Sequence, residues 1–211
     1  MEEEKTLEQI KKKTENASKV VYFKGYLAVI TGLSIVFGGL FVHYSPLLPI
    51  ALGVLALLYC VAEWMFAKSV KEIFSQYRVY YLYSVFNLLL AIAFFLSLAL
   101  SDRFQAYLVY VLVALWMAVK GVVLLKGVLD MKRFGVKELF FFTVLSILTI
   151  VFSVVILFSL ERRAIFVAVV FAISFISSGL AEIALSHSMK RIESNVLEPY
   201  RTEDYDHTTL K

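Results

Sequence analysis

Six long apolar stretches, separated by short polar segments, dominate the pattern of this 211-residue chain. Each is about 20 residues long, which as an α-helix is enough to cross the roughly 30 Å hydrocarbon layer of a membrane. Apolar residues run continuously through each stretch instead of alternating with polar ones, which argues against membrane β-strands. The pattern predicts six transmembrane helices, at Val20–Val42, Leu47–Ala67, Val79–Leu100, Phe104–Leu125, Leu139–Leu160 and Ala164–Leu185.

The composition supports this prediction and argues against a soluble domain. Hydrophobic residues make up 60% of the chain and aromatic residues 15%, with a mean hydropathy of +0.78. A soluble domain is nearer half apolar. The single cysteine, Cys60, lies inside an apolar stretch, so one chain alone cannot form a disulfide. We therefore predict an all-α, polytopic membrane protein.

The basic residues segregate to one side of the predicted bundle. Of the 21 lysines and arginines, all but four lie in the N-terminal segment (with Lys24 included), the second and fourth loops, or the tail; the exceptions are Lys120 inside a helix and Arg103, Arg162 and Arg163 in outer loops. Because cytoplasmic loops are enriched in basic residues, we predict that both termini are cytoplasmic and that the protein lies in the plasma or inner membrane. The net charge of +4 then reflects topology and anionic lipids, not nucleic acid.

The predicted helices are joined into three hairpins by very short outer loops. A faint repeat with a period of about 58 residues relates the hairpins and places Val36-Phe37, Ala93-Phe94 and Val151-Phe152 in corresponding positions. All three hairpins start on the same side, so they would be parallel repeats. We predict a pseudo-threefold bundle with helix 1 paired with 2, 3 with 4 and 5 with 6. The repeats would span about 20–75, 79–135 and 138–192.

Polar segments flank the six-helix domain of residues 20–190. Residues 1–19 carry glutamates early, lysines late and apolar residues at three-to-four spacing, which predicts a cytoplasmic amphipathic helix. This helix either lies on the membrane surface or extends the first span. Residues 193–211 are polar and are predicted to form a mobile cytoplasmic tail.

Three ionisable residues stand out inside the predicted helices: Glu63, Lys120 and Glu182. When the hairpins are aligned on their basic ends, the three fall within one turn of each other on the same helical face. Charged residues inside a membrane normally face the bundle interior and pair. Two interpretations remain open. The side chains either reach the inner headgroup layer or form a structural ion pair, or they line a polar path or a lipid-headgroup site. Two acids with one base would suit proton sensing.

Two further sets of residues are candidates for contacts between helices. Asn87 and Ser84 share one face of the third helix, and we predict that Asn87 forms a hydrogen bond to a neighbouring helix. Small residues allow close helix packing, and in this chain glycines recur every seven residues in helix 1 and appear in helices 4 and 6. The predicted packing glycines are Gly25, Gly32, Gly39, Gly121 and Gly179.

No catalytic or metal-binding constellation is found in the sequence. His43, His187 and His207 lie apart, and none has a second ligand at metal spacing. The phosphate-binding pattern GxxxxGK[ST] has no match. We therefore predict that the protein is not an enzyme and holds neither cofactor nor metal.

The stretch GLSIVFGGLFVHYSP (Gly32 to Pro46) and the AEWMF that ends the second helix resemble the HdeD-like acid-resistance membrane proteins. Gly39, seven residues before Pro46, fits the glycine-marked hairpins of that family, as do Gly121 and Gly179. The sequence departs from the family at Ala62, where glycine is expected, and lacks proline at the second and third outer turns. The resemblance implies a six-helix membrane protein associated with stress, and it brings no catalytic residue.

The sequence thus favours a non-enzymatic, HdeD-like multi-pass protein associated with acid or envelope stress that senses protons through Glu63, Lys120 and Glu182. One alternative is a small channel or transporter for protons or small solutes. Another is a lipid-binding or lipid-modifying membrane protein. The expected partners are membrane lipids and either further copies of the chain or other membrane proteins.

Overall fold

The computed structural model of the chain describes residues 2–38, 47–71, 74, 77–133, 140–158 and 164–208, and these form six α-helices with no β-strand. The helices are α1 (Glu2–Gly38), α2 (Leu47–Val70), α3 (Arg78–Ser97), α4 (Asp102–Arg133), α5 (Phe140–Phe158) and α6 (Ala164–Thr208). Each contains a segment long and apolar enough to cross a membrane. The predicted all-α architecture with six spans is therefore confirmed. Gly39, His43 and Pro46 lie outside the described residues.

Three of the helices extend well beyond their predicted spans. α1 is one unbroken helix of 37 residues, so the predicted N-terminal amphipathic segment continues directly into the first span. α4 continues to Arg133, and α6 continues to Thr208 through most of the predicted tail, whose mobility stays a prediction. The difference arises because hydropathy falls at the first charged residues, whereas Lys, Glu, Gln and Arg are themselves good helix formers.

The closest helix pairs differ from the predicted ones. Among the described residues, the most extensive contacts join α1 to α6, α2 to α3 and α4 to α5, while α1–α2 and α3–α4 contacts are less extensive. The predicted hairpin pairs, helices 1 and 2, 3 and 4, and 5 and 6, are in contact, but their contacts are not the most extensive ones. Short loops keep consecutive helices next to each other. How extensively two helices contact, however, depends on which of their faces carry small side chains.

The α1–α6 pair packs antiparallel along a line of small residues spaced by seven. Ser18 and Ser186 donate hydrogen bonds to each other's backbone carbonyls, at 3.1 and 2.9 Å. One heptad further on α1, a methyl group built on Gly25 would lie 2.7 Å from the carbonyl oxygen of Gly179. After a second heptad, the same construction on Gly32 meets the Ala172 carbonyl oxygen at 2.8 Å. Only very small side chains permit this approach.

The other two predicted glycines that the structure describes, Gly121 and Gly179, also lie at helix contacts. A methyl group built on Gly179 would lie 2.6 Å from the Gly25 carbonyl oxygen, which completes the seam between α1 and α6. On α4, Gly121 faces α5, where the same construction comes within 2.5 Å of Ile150 Cγ1 and 3.2 Å of the Ser146 carbonyl oxygen. These contacts position α1, α4 and α6, which carry the buried polar residues described below.

The helices alternate in direction, which gives the bundle two distinct ends. On α3 and α4, Tyr80 contacts Asp130 and Phe94 contacts Trp116, so these two helices run antiparallel. α4 and α6 run parallel, since Trp116 and Lys120 on α4 contact Phe175 and Glu182 on α6, in the same order along both helices. We call the end of the bundle that holds the last turns of α2 and α4 the inner end.

Candidate functional site

Four helices bring charged side chains together in the middle of the bundle. They are Lys24 from α1, Glu63 from α2, Lys120 from α4 and Glu182 from α6, with exposed fractions of 5%, 1%, 1% and 1%. We call these four residues the buried charge cluster. The structure thus brings the three predicted residues Glu63, Lys120 and Glu182 together. Their side chains end inside the bundle and do not extend from its surface toward the inner headgroup layer.

The cluster is held by ion pairs between helices. Lys24 Nζ lies 2.5 Å from Glu63 Oε1 and 3.5 Å from Glu182 Oε1. Lys120 Nζ lies 3.2 Å from Glu182 Oε2. Glu182 therefore contacts both lysines, while the second carboxylate oxygen of Glu63, Oε2, has no hydrogen-bond partner among the described residues. An unpartnered carboxylate oxygen in the interior is unusual, because burying it without a donor costs free energy.

Tyr59 connects the two lysines. Lys120 Nζ donates to the Tyr59 hydroxyl at 2.9 Å, and that hydroxyl donates to the backbone carbonyl of Lys24 at 2.9 Å. The ammonium group also lies 4.3 Å from the centre of the Tyr59 ring, where a cation is attracted by the ring face. Lys120 is thus held by one carboxylate, one hydroxyl and one aromatic ring.

Lys24 changes the charge of the predicted site. Lys24 was predicted to belong to the basic N-terminal segment, and that assignment is wrong because Lys24 is buried in the bundle. The cluster has two lysines and two glutamates, so its formal charge is zero and not the single excess negative charge of a Glu–Lys–Glu set. A signal was available in the sequence, since Lys24 is flanked by VVYF and GYLAV and shares a helical face with Val21 and Ala28.

An aromatic layer closes the bundle on the outer side of the cluster. Trp116 lies one turn before Lys120 on α4, and its ring centre is 5.6 Å from that of Tyr59, 5.7 Å from Phe175 and 6.1 Å from Phe94. All four rings are fully buried. We call Tyr59, Phe94, Trp116 and Phe175 the aromatic layer. The contacts with Tyr59 and Phe175 are edge-to-face and the contact with Phe94 is tilted, and rings in such contacts pack densely.

A narrow cavity extends from the cluster toward the inner end. All four cluster residues line it, together with Tyr80, Tyr83 and apolar side chains as far as Met131. Lys120 and Met131 are separated by a helical rise of about 16 Å on α4. The volume of this cavity is about 20 Å³, which is room for about one water molecule. The cavity therefore reaches the charges from one side of the bundle.

A second buried polar group lies nearer the inner end. Asp130 on α4 accepts a hydrogen bond from the Tyr80 hydroxyl on α3 at 3.2 Å and forms an ion pair with Lys126, one turn earlier on its own helix. Asp130 was not among the predicted site residues, because the fourth predicted span ends at Leu125. The four-residue spacing between Lys126 and Asp130, which is typical of helical ion pairs, was the available signal.

The secondary polar contact is made differently from the prediction. Asn87 Nδ2 donates to the Tyr83 carbonyl on its own helix at 2.9 Å, so the predicted bond from Asn87 to another helix is wrong. Ser84 makes an interhelical bond instead, since its hydroxyl donates to the Cys60 carbonyl on α2 at 2.8 Å. Ser84 lies against α2, while Asn87, about one turn further along the same face, is fully buried and bonds within its own helix.

Two further observations complete the description of the site. Within the described part of the chain, no three histidine, cysteine or carboxylate side chains form a group that could hold a metal ion. Comparison of the chain with family models, with curated proteins and with solved structures finds no match in any of the three.

Proposed function

We propose that the chain is a non-enzymatic multi-pass membrane protein that takes up protons at the buried charge cluster from the inner end of the bundle. The observation that carries this proposal is the one-sided cavity. It extends from Glu63 and Glu182 toward the inner end, while the rings of the aromatic layer pack on the opposite side of the cluster. Ionisable residues inside membrane helices are costly and commonly serve a function.

The size of the cavity supports a proton over a larger ligand. Its volume of about 20 Å³ holds about one water molecule, which can carry a proton between neighbouring groups, and it is too small for an organic solute. The alternative of a channel or transporter requires an opening through the aromatic layer in another state of the protein.

Protonation of the cluster has a physical consequence for the bundle. A neutral Glu63 or Glu182 no longer balances Lys24 and Lys120, and breaking a buried ion pair typically costs about 3–5 kcal/mol. Because these pairs join α1, α2, α4 and α6, acidification that protonates the glutamates weakens the contacts of four helices at once. The sign is fixed by charge: the pairs exist when the carboxylates are ionised and are lost as the pH falls.

Topology and family belong to the same proposal. We place the inner end in the cytoplasm, together with both termini, because the basic residues are concentrated there. The alternation of more and less extensive helix contacts around the bundle supports three parallel hairpin repeats. An association with acid or envelope stress rests on the resemblance to HdeD-like proteins, and membrane lipids are the expected surroundings of the apolar outer faces.

The proposal is tested by an infrared titration of the full chain in lipid vesicles. The protonated-carboxyl signal is followed as the pH is lowered in the wild type, Glu63→Gln and Glu182→Gln. Glu15→Gln is the matched control, because Glu15 pairs with Lys19 on an exposed part of α1. We expect a component that disappears in one or both cluster variants and persists in the control.

Two outcomes count against this proposal. If neither cluster variant removes any part of the wild-type titration, the glutamates do not take up protons and the proposal is overturned. If a dye trapped in the same vesicles reports proton flux that Glu63→Gln abolishes, the protein conducts protons, and the channel alternative replaces uptake from one side.

A further inference from the structure

Asp130 and Tyr80 link the inner end of the bundle to the cavity. Asp130 lies one turn before the end of α4 and is 3% exposed, while its ion-pair partner Lys126 keeps 18% of its side chain exposed. The Tyr80 hydroxyl donates to Asp130 Oδ2 at 3.2 Å, and Tyr80 also lines the cavity that reaches Glu63 and Glu182. One phenol therefore borders both the carboxylate and the cavity.

Apolar side chains pack around the ring of Tyr80, while its hydroxyl bonds to Asp130. The ring of Phe66 packs edge-to-face on Tyr80 with centres 4.9 Å apart, and Phe74 lies at 6.2 Å. Gly127 faces the hydroxyl, and a methyl group built on it would lie 3.7 Å from the Tyr80 oxygen. The absence of a side chain at Gly127 leaves space beside the hydroxyl on the cavity side.

From this arrangement we infer that Asp130 and Tyr80 form a proton relay between the inner end of the bundle and the buried charge cluster. The inference rests on the proposed function, which it deepens by naming the entry route. Asp130 is faced by Lys126 from its own helix and by Tyr80 from α3. The cavity beyond Tyr80 is faced by Tyr83 and the four cluster residues.

The relay moves one proton with every group restored. Asp130 takes a proton from water at the inner end and donates it to the oxygen of Tyr80. This transfer requires that the Tyr80 hydroxyl, which donates to Asp130 in the structure, first turns to donate to a water in the cavity once Asp130 is protonated. As Tyr80 then accepts the Asp130 proton, it releases its own proton to that water, which passes a proton to Glu63 or Glu182. Asp130 returns to the carboxylate, Tyr80 remains a neutral phenol, and the glutamate becomes a neutral acid.

The test measures the rate of protonation after a rapid drop in pH, with the full chain in vesicles and the infrared carboxyl signal of the cluster as readout. We expect Asp130→Asn and Tyr80→Phe to slow this signal by at least about tenfold, because a positioned acid or base typically contributes more than that to proton transfer. The final amplitude stays that of the wild type once the contribution of Asp130 itself is subtracted. Asp130→Glu, which keeps a carboxylate, restores a fast rate.

Tyr77→Phe is the matched control, since Tyr77 lies one turn earlier near the start of α3 and its ring packs on Tyr81. A purely structural role for Asp130 predicts a lower melting temperature with an unchanged protonation rate, and that result overturns the relay. A slow rate in Asp130→Glu equal to that of Asp130→Asn overturns it as well. If the wild type shows no cluster titration at all, the proposed function fails first; if it titrates but both variants keep its rate, only the relay fails.

Discussion

At the scale of single residues, the hydroxyl of Tyr59 connects the two lysines of the buried charge cluster. Its hydroxyl accepts from Lys120 and donates to the Lys24 carbonyl, so it satisfies both hydrogen-bonding capacities in the interior. Tyr83 is also buried, yet its hydroxyl makes no hydrogen bond of normal geometry among the described residues. The two tyrosines therefore form a natural pair for separating the effect of a hydrogen bond from the effect of a ring.

Tyr59→Phe is expected to lower the free energy of unfolding by about 1–3 kcal/mol, because it removes one partner each from a buried ammonium group and a buried carbonyl. The ring remains, so contacts in the aromatic layer are kept. Tyr83→Phe, the control, is expected to change stability by less than about 0.5 kcal/mol or to stabilise the protein, since it removes an unpaired polar atom. Equilibrium unfolding in mixed micelles measures both, and equal losses in the two variants would contradict the role assigned to Tyr59.

At the scale of helices, the seam between α1 and α6 positions half of the buried charge cluster. Gly25 directly follows Lys24, and Gly179 precedes Glu182 by three residues. The close approach of the two backbones at these glycines places Lys24 within reach of Glu182. The close packing of α1 on α6 at these glycines thus sets the distance between the charged side chains of Lys24 and Glu182.

Gly25→Ala is expected to destabilise the bundle, because its methyl group would lie 2.7 Å from a backbone oxygen and 2.8 Å from a backbone nitrogen of α6, neither of which can rotate away. A loss of about 1–3 kcal/mol is typical of such overpacking. Gly127→Ala is the control: its nearest contact is 3.3 Å from Leu185 Cδ2, the end of a flexible side chain. Thermal unfolding in detergent compares them, and a Gly127 variant as unstable as the Gly25 variant would show that loss of glycine itself, not the seam, is responsible.

At the scale of the whole molecule, function depends on which side of the membrane the cavity faces. The proposed entry of protons from the cytoplasm requires the inner end, with Lys71 just beyond α2, to lie on the cytoplasmic side. Ser101, between α3 and α4, then lies on the opposite side. Both residues are exposed and described, so each can report its side of the membrane.

Single-cysteine labelling tests this topology in a Cys60→Ala background. We expect Lys71→Cys to react with a membrane-impermeant maleimide only after the cytoplasmic face is opened, and Ser101→Cys to react in intact cells. Labelling of both positions from the same side would contradict the alternating helices. Labelling with the two sides exchanged would keep the fold but move the proton entry to the outside of the cell.

The sequence pattern was sufficient for the number and approximate limits of the spans. It was insufficient for their pairing and for the composition of the site. Glu63, Lys120 and Glu182 stood out because a charge is conspicuous in an apolar stretch. Lys24 was counted with the basic N-terminal segment and Asp130 was missed, because each lies near the edge of a span, where a charge is ordinary. Tyr59 and Tyr80 gave no signal, since a tyrosine inside an apolar stretch is common whether or not its hydroxyl has a partner.

By itself, then, the sequence determined that this chain forms six apolar helices long enough to cross a membrane, because hydropathy and helix length are local properties that each stretch carries alone. Only the tertiary structure decided that α1 packs on α6, that Lys24 completes a neutral cluster and that Tyr59 joins its two lysines. These features depend on the rotation of each helix about its axis and on its depth relative to its neighbours. Both are set by contacts between residues as far apart in the chain as Ser18 and Ser186.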